Sequence, residues 1–102
     1  MGTTCKHADV ERRFLGVDLT DGRYADVTYE ACHACGLQWV HYQFEFEAFS
    51  RSGRWYRGQI NSAQAEALTA ANAAALLEAL AAYTAGGSYF DGQERERSGP
   101  LV

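Results

Sequence analysis

The chain has 102 residues, of which 47% are hydrophobic and 13% aromatic, and it carries a formal net charge of −4 at pH 7. This length and composition predict a single folded domain and exclude a disordered chain. The negative charge argues against tight nonspecific binding to nucleic acid or to anionic membranes, because both require a positive protein surface.

Four strands are predicted in the first 60 residues. Residues 10–19 and 24–31 flank Asp21-Gly22, a dipeptide that is typical of tight hairpin turns. Residues 37–46 alternate between apolar and polar side chains over their whole length, which is the clearest strand pattern in the chain. Residues 54–60 are predicted to form the fourth strand.

The second half of the chain changes to a helical pattern. Alanine and leucine dominate residues 61–83, and both favour helix. Thr69 resembles a second N-cap inside this segment, so we expect a short helix over about 62–68 and a longer one over about 70–83. The glycines at 86 and 87 are typical of a helix C-terminus.

The cysteine count and the hydropathy pattern indicate a cellular compartment. No apolar run reaches the length of roughly 20 residues that a membrane helix needs. The three cysteines are an odd number, which fits a disulfide framework poorly and a reduced protein well. We therefore expect a cytoplasmic protein without a membrane partner.

The most informative stretch is Cys32-His33-Ala34-Cys35-Gly36, which lies between the second and third predicted strands. Two thiolates spaced Cys-x2-Cys at a tight turn can bind one zinc ion, because turn amides can point at the sulfurs and the glycine permits a sharp turn. A structural zinc site needs two further ligands. Cys5 and His7 supply a second pair upstream, and a hairpin of the first two strands would bring both pairs to the same end.

These four residues predict a closed site made of Cys5, His7, Cys32 and Cys35. Four protein ligands would stabilise the fold and leave no position for catalysis. His33 or His41 could instead replace His7 as the fourth ligand. The cysteines could also form a redox pair or bind no metal, although a thioredoxin-like pair opens a helix whereas a strand follows here.

The cysteine turn resembles the knuckle of the zinc-ribbon and rubredoxin families. The resemblance covers only this turn and the upstream pair of Cys5 and His7. It implies a role as an interaction module for proteins or nucleic acid.

Together the elements predict an α+β fold. We expect a small antiparallel sheet of about four strands, with the C-terminal alanine-rich helix on one face and the zinc knuckle at one end. Residues 1–90 would form this domain, and residues 91–102 a flexible polar tail. Alanine also permits the close approach of a second copy, so a homodimer through the helix is one alternative.

A second candidate site lies in residues 50–58, which contain three arginines, two aromatic residues and no acid. Arginine and aromatic rings together suit recognition of phosphate, carboxylate or nucleic-acid bases. The alternative is that the arginines pair with Glu45 and Glu47 across a hairpin, and that the polar face of the third strand is only solvated. The candidate binding residues are Arg51, Arg54, Trp55 and Arg57, with His41 and Glu45 from the third strand.

The function predicted from these patterns is a small module that is stabilised by structural zinc and binds a protein partner without catalysing a reaction. The negative net charge favours a protein over nucleic acid, so RNA or single-stranded nucleic-acid binding is an alternative. An alternative of a different class is a small zinc metalloenzyme with an open metal position, in which His41 or Glu45 acts as the base.

Overall fold

The computed structural model describes residues 5–20, 22–46 and 48–101. Its main feature is one antiparallel sheet of six strands that lie side by side in the order of the chain. The strands are β1 (Val10–Val17), β2 (Asp26–Cys32), β3 (Gln38–Phe44), β4 (Arg54–Ile60), β5 (Tyr83–Gly86) and β6 (Arg95–Arg97). Between β4 and β5 lie two short helices, α1 (Ser62–Ala67) and α2 (Ala73–Ala79), and a 3₁₀ turn, Ser88–Phe90, precedes β6.

The predicted α+β fold, with about four strands and an alanine-rich helix on one face, is wrong, because the described chain is mostly sheet. The helix expected over 70–83 ends at Ala79, and Tyr83 begins β5. In β5, Tyr83 and Ala85 are buried, and the Tyr83 ring packs edge-on against Tyr56 of β4 with ring centroids 5.8 Å apart. Burial of such a ring outweighs the small helix preference of the neighbouring alanines.

The sixth strand comes from the segment that was expected to be a flexible polar tail. β6 pairs with β5, and Leu101 near the end of the chain is only 7% exposed. The Leu101 amide donates a hydrogen bond to the Glu78 carboxylate at 2.9 Å. The Tyr83 hydroxyl donates to the Gly99 carbonyl, also at 2.9 Å. These bonds attach the C-terminal residues to α2 and β5.

The two helices are separated by a break that local hydrogen bonds explain. A capping box starts α1, in which Asn61 and Gln64 exchange side-chain to backbone bonds of 2.8 Å. The backbone becomes extended at Leu68. Thr69 and Asn72 then exchange a second pair of bonds, and α2 follows. Among the described residues, neither helix has the length and apolar character needed to cross a bilayer.

The hydrophobic core lies where α2 packs against β3 and β4. Tyr42, Tyr56 and Leu77 are the largest of its fully buried side chains. Gly58 of β4 lies directly beneath the helix, because a Cβ atom there would come within 2.4 Å of Leu80 Cδ1 and 2.8 Å of Leu77 Cδ2. The missing side chain at Gly58 therefore allows α2 to lie close to the sheet.

β1 and β2 form the predicted hairpin, but residues 18–25 connect them rather than a tight two-residue turn. Of the turn dipeptide Asp21-Gly22, Asp21 lies outside the described residues. At the other end of the hairpin, Val10 pairs with Cys32. This register places the segment that precedes β1 beside the cysteine turn.

A buried carboxylate stabilises the connection between β1 and β2. Asp18 is 1% exposed and accepts hydrogen bonds from the Tyr42 hydroxyl at 2.6 Å, the Thr20 hydroxyl at 2.6 Å and the Thr20 amide at 2.9 Å. Burial alone raises the pKa of Asp18, but these hydrogen bonds and the nearby Arg23 outweigh burial and hold that pKa below its ordinary value. Asp18 is therefore ionised at neutral pH in the folded protein.

Candidate metal centre and the adjoining sheet face

The structure brings Cys5, His7, Cys32 and Cys35 together, with one potential ligand atom from each lying within 4.8 Å of the others. The Sγ atoms of Cys5 and Cys32 lie 3.6 Å apart, and Cys35 Sγ lies 3.6 Å from His7 Nδ1. A tetrahedral zinc ion with the usual Zn–S and Zn–N distances holds its ligand atoms about 3.5–3.8 Å apart. The cluster could therefore hold one tetrahedral metal ion.

Two backbone features bring the ligand pairs together. The tight turn after β2 is closed by a 2.8 Å hydrogen bond from the Gly36 amide to the Cys32 carbonyl, and Gly36 has a φ of +78° that favours glycine. The His33 amide donates to the Asp9 carbonyl at 2.9 Å. This second bond attaches the N-terminal segment to the cysteine turn.

Hydrogen bonds to Cys32 favour its thiolate form, which is the form that binds metals. The His7 side chain and the amides of Cys35 and Ala34 lower the pKa of Cys32 to about 6. The His7 amide donates to Cys5 Sγ at 3.4 Å and lowers the pKa of Cys5, but the contacts with the Cys32 and Cys35 thiols and burial outweigh this bond and raise that pKa above its ordinary value. The turn therefore supplies the amide donors that the sequence pattern predicts for a knuckle.

His7 is held in place by more than its contact with Cys35. Its ring packs edge-on against the Trp39 ring, with centroids 5.0 Å apart and planes at 79°. Its backbone has a φ of +52°, in the left-handed region, which is energetically unfavourable for a residue with a side chain. Such a conformation persists only where the surrounding structure imposes it. The imidazole is thus oriented toward the sulfurs by packing.

The other two histidines lie outside this cluster. His33 is exposed, and its Nε2 atom lies 2.9 Å from the Glu11 carboxylate, which raises the pKa of the histidine. His41 is half-buried and stacks on Trp55 at 5.6 Å between ring centroids. Neither residue is positioned to replace His7 as a ligand.

The sheet has a second face, opposite the core, that the helices do not cover. We call it the open face, and its central side chains are Arg12, Glu30, Trp39, His41, Trp55 and Arg57. Glu30 is 6% exposed and bridges two arginines: Arg57 Nε donates to its Oε1 at 2.6 Å, and Arg12 Nε to its Oε2 at 3.3 Å. The Arg57 guanidinium also lies 4.1 Å above the Trp39 ring. Trp39 therefore contacts His7 of the metal cluster as well as Arg57 of the open face.

A cavity of about 520 Å³ lies on this face, next to the metal cluster. Its lining includes His7, Arg12, His41 and Trp55. Trp55 lies across Gly86 of β5, where a Cβ atom would meet the indole ring at 2.5 Å. A smaller cavity of about 310 Å³ shares Trp55 and Arg57 with the first and extends toward β6.

The structure divides the six residues that were predicted to bind a partner. His41, Trp55 and Arg57 lie together on the open face. Arg54 instead packs 3.6 Å above the Tyr89 ring and lines a different cavity together with Glu45 and Trp55, and Arg51 forms an ion pair with Asp91. Of the two expected partners for these arginines, Glu45 and Glu47, Glu47 lies outside the described residues. That all six form one binding surface stays a prediction.

Three residues of the open face were not among the predicted binding residues: Arg12, Glu30 and Trp39. The strand register is the feature that brings these three residues together. The β1–β2 hairpin places Arg12 opposite Glu30, and the β2–β3 pairing places Glu30 opposite Trp39. Alternation alone assigns these side chains to a polar face, but it does not show that they contact one another.

No protein-family model matches this chain, and comparisons with curated proteins and with solved structures found no match. The resemblance of the cysteine turn to zinc ribbons is therefore supported only by the four clustered side chains.

Proposed function

We propose that this protein is a small module in which a structural zinc ion joins the N-terminal segment to the turn between β2 and β3, and in which the open face binds a partner protein. The observation that carries the metal part is the convergence of four donor atoms at separations near those of a tetrahedral zinc site. When bound, the ion would act as a crosslink between two segments that are distant in sequence.

The donor set favours zinc over other metals. Three thiolates and one imidazole suit a soft or borderline ion in tetrahedral geometry, whereas magnesium and calcium prefer oxygen ligands. Four protein donors also fill the tetrahedral shell, which supports a structural role over a catalytic one. His41 and Glu45, the residues considered as catalytic bases, lie outside the group of potential ligands.

The open face is the better candidate for partner binding, because it combines the half-buried rings of His41 and Trp55 with arginine side chains next to cavities. The net charge of −4 supports a protein partner over nucleic acid. On α2, Ala73 and Leu77 already pack in the core of the same chain, so the proposal does not include a dimer through the alanine-rich helix. Free cysteines acting as metal ligands fit a reducing compartment such as the cytoplasm.

Metal analysis of the purified protein tests the first part of this proposal. We expect about one zinc per chain and, after exchange with cobalt, the visible absorption of a tetrahedral thiolate site. Added azide should leave that spectrum unchanged, because no coordination position is open. His7→Ala should remove the cobalt spectrum, whereas His33→Ala, a matched change at a histidine outside the cluster, should preserve it. A protein that binds no metal, or a spectrum that responds to azide, would refute the closed zinc site.

A further inference from the structure

The arrangement of Arg12, Glu30 and Arg57 on the open face leaves a net charge of +1. The Glu30 side chain is 8% exposed and accepts a hydrogen bond from each arginine, so it holds both guanidinium groups on one side of the cavity. One carboxylate cannot neutralise two guanidinium groups. A ligand that carries a single negative charge would complete the balance.

Both arginines retain donors for such a ligand. Each bonds to Glu30 through its Nε atom. Among the described residues, the Nη groups of both arginines therefore remain available to donate hydrogen bonds to an anion. The Arg12 side chain is 65% exposed and that of Arg57 is 32% exposed, so both can be reached from solvent. Guanidinium groups bind carboxylates through paired, charge-assisted hydrogen bonds.

The rest of the cavity suits an aromatic or apolar group. His41 and Trp55 stack on each other with their planes at 21°, and the pair forms one wall of the cavity beside the arginines. Burial lowers the pKa of His41, so this wall is uncharged at neutral pH. The cavity volume of about 520 Å³ is sufficient for a small molecule or for one residue of a peptide.

We infer that this cavity is a binding site for a monoanionic carboxylate ligand with an aromatic body, whose carboxylate pairs with Arg12 and Arg57 while its ring packs against Trp55. A phosphate dianion fits less well, because Arg12, Arg57 and Glu30 leave one positive charge among the residues that line this cavity and the second negative charge would face Glu30. This inference rests on the proposed binding function of the open face and names the chemistry that the face recognises.

Titration of the zinc-loaded, ¹⁵N-labelled protein with phenylacetate tests the inference, followed through the indole N–H signal of Trp55. We expect a saturable shift, and we expect the neutral analogue phenylacetamide to bind about tenfold more weakly or worse, because it lacks the charge. Acetyl-Gly-Phe with a free carboxyl group separates two sources of the ligand. If it binds more tightly than phenylacetate, the natural ligand is a peptide C-terminus; if phenylacetate binds more tightly, it is a small acid.

Two arginine variants provide a matched comparison. Arg12→Gln should weaken phenylacetate binding by about tenfold and remove most of the preference over phenylacetamide. Arg13 is the next residue in β1 but lies over the Tyr29 ring on the other side of the strand, at 5.0 Å. Arg13→Gln should therefore change the affinity by less than about twofold, because an exposed charge outside the cavity is screened.

Three results would overturn the inference: equal affinity for phenylacetate and phenylacetamide, equal effects of the two arginine variants, or tighter binding of inorganic phosphate than of phenylacetate. The zinc content of the same samples separates this failure from failure of the proposed metal site. A zinc-containing protein without carboxylate preference overturns only the inference. A metal-free protein that still prefers the carboxylate overturns only the metal proposal.

Discussion

Removal of the metal is the perturbation with the largest expected effect on stability. The Sγ atoms of Cys5 and Cys32 lie 3.6 Å apart, although the two residues are 27 positions apart in the sequence. A bound zinc ion would hold this loop closed in the folded protein, and its binding free energy would add to the free energy of folding because the unfolded chain has no preformed site. The chain entropy of closing a loop of this length, about 3.5 kcal/mol for a covalent crosslink, sets the order of magnitude of the expected loss.

That free energy converts into a large change in melting temperature. In a domain of this size, each kcal/mol changes the Tm by roughly 4–8 °C, so a chelator should lower the Tm by roughly 14–28 °C. The loss should be concentrated in β1, because β1 lies at the edge of the described sheet, where its one neighbouring strand is β2. Hydrogen exchange should therefore show faster exchange in β1 than in the central strand β4 once the metal is removed.

Calorimetry with and without a chelator measures this effect, and a disulfide reductant must be present. Without the reductant, Cys5 and Cys32 are close enough to form a disulfide in the metal-free protein, which would replace the lost crosslink. His7→Ala should reproduce the chelator effect, whereas His33→Ala should change the Tm by only about 2 °C, because its exposed pairing with Glu11 contributes little. The reasoning is refuted if the chelator leaves the Tm unchanged or if both histidine variants melt alike.

Three further substitutions test the core and the buried carboxylate. Gly58→Ala should destabilise the fold by about 1–3 kcal/mol in urea unfolding, because the new Cβ would lie within 2.4 Å of Leu80 Cδ1. Leu77→Ala should cost about 2.7–5 kcal/mol by the same measurement, because Leu77 is fully buried. Tyr42→Phe removes a 2.6 Å hydrogen bond to ionised Asp18 and should cost about 1.5–3 kcal/mol near pH 7. Because the pKa of Asp18 is lowered by folding, its stabilisation is present above the unfolded pKa of about 3.9 and is lost as the pH falls through the folded pKa, so the difference between Tyr42→Phe and the wild type should shrink in acid.

Each of these outcomes has a clear contrary result. A Gly58→Ala protein as stable as the wild type would mean that α2 can move away from β4 at no cost. A small effect of Leu77→Ala would place this side chain outside the core. A Tyr42→Phe difference that is independent of pH between about 2 and 7 would mean that the hydrogen bond does not depend on the charge of Asp18.

Much of the first half of the fold follows from local sequence patterns. The predicted strands overlap β1 to β4, because alternation of apolar and polar residues reports which side of a sheet each residue faces. The second half was predicted less well. The composition of residues 81–83 predicts helix, yet the chain enters β5 there because Tyr83 packs against Tyr56 of β4, a strand that is adjacent in the sheet but distant in sequence. Local propensity contains no information about that partner.

The sequence by itself determined the candidate ligand set, because few side chains in this chain can bind a soft metal and the Cys-x2-Cys spacing brings two of them to one turn. It also determined which residues of β3 face the core, since alternation has a period of two. Only the tertiary structure decided that His7 completes the cluster, that six strands form the sheet, and that Arg12 and Arg57 share Glu30. The physical reason is that strand register and long-range packing bring together residues whose proximity no local pattern encodes.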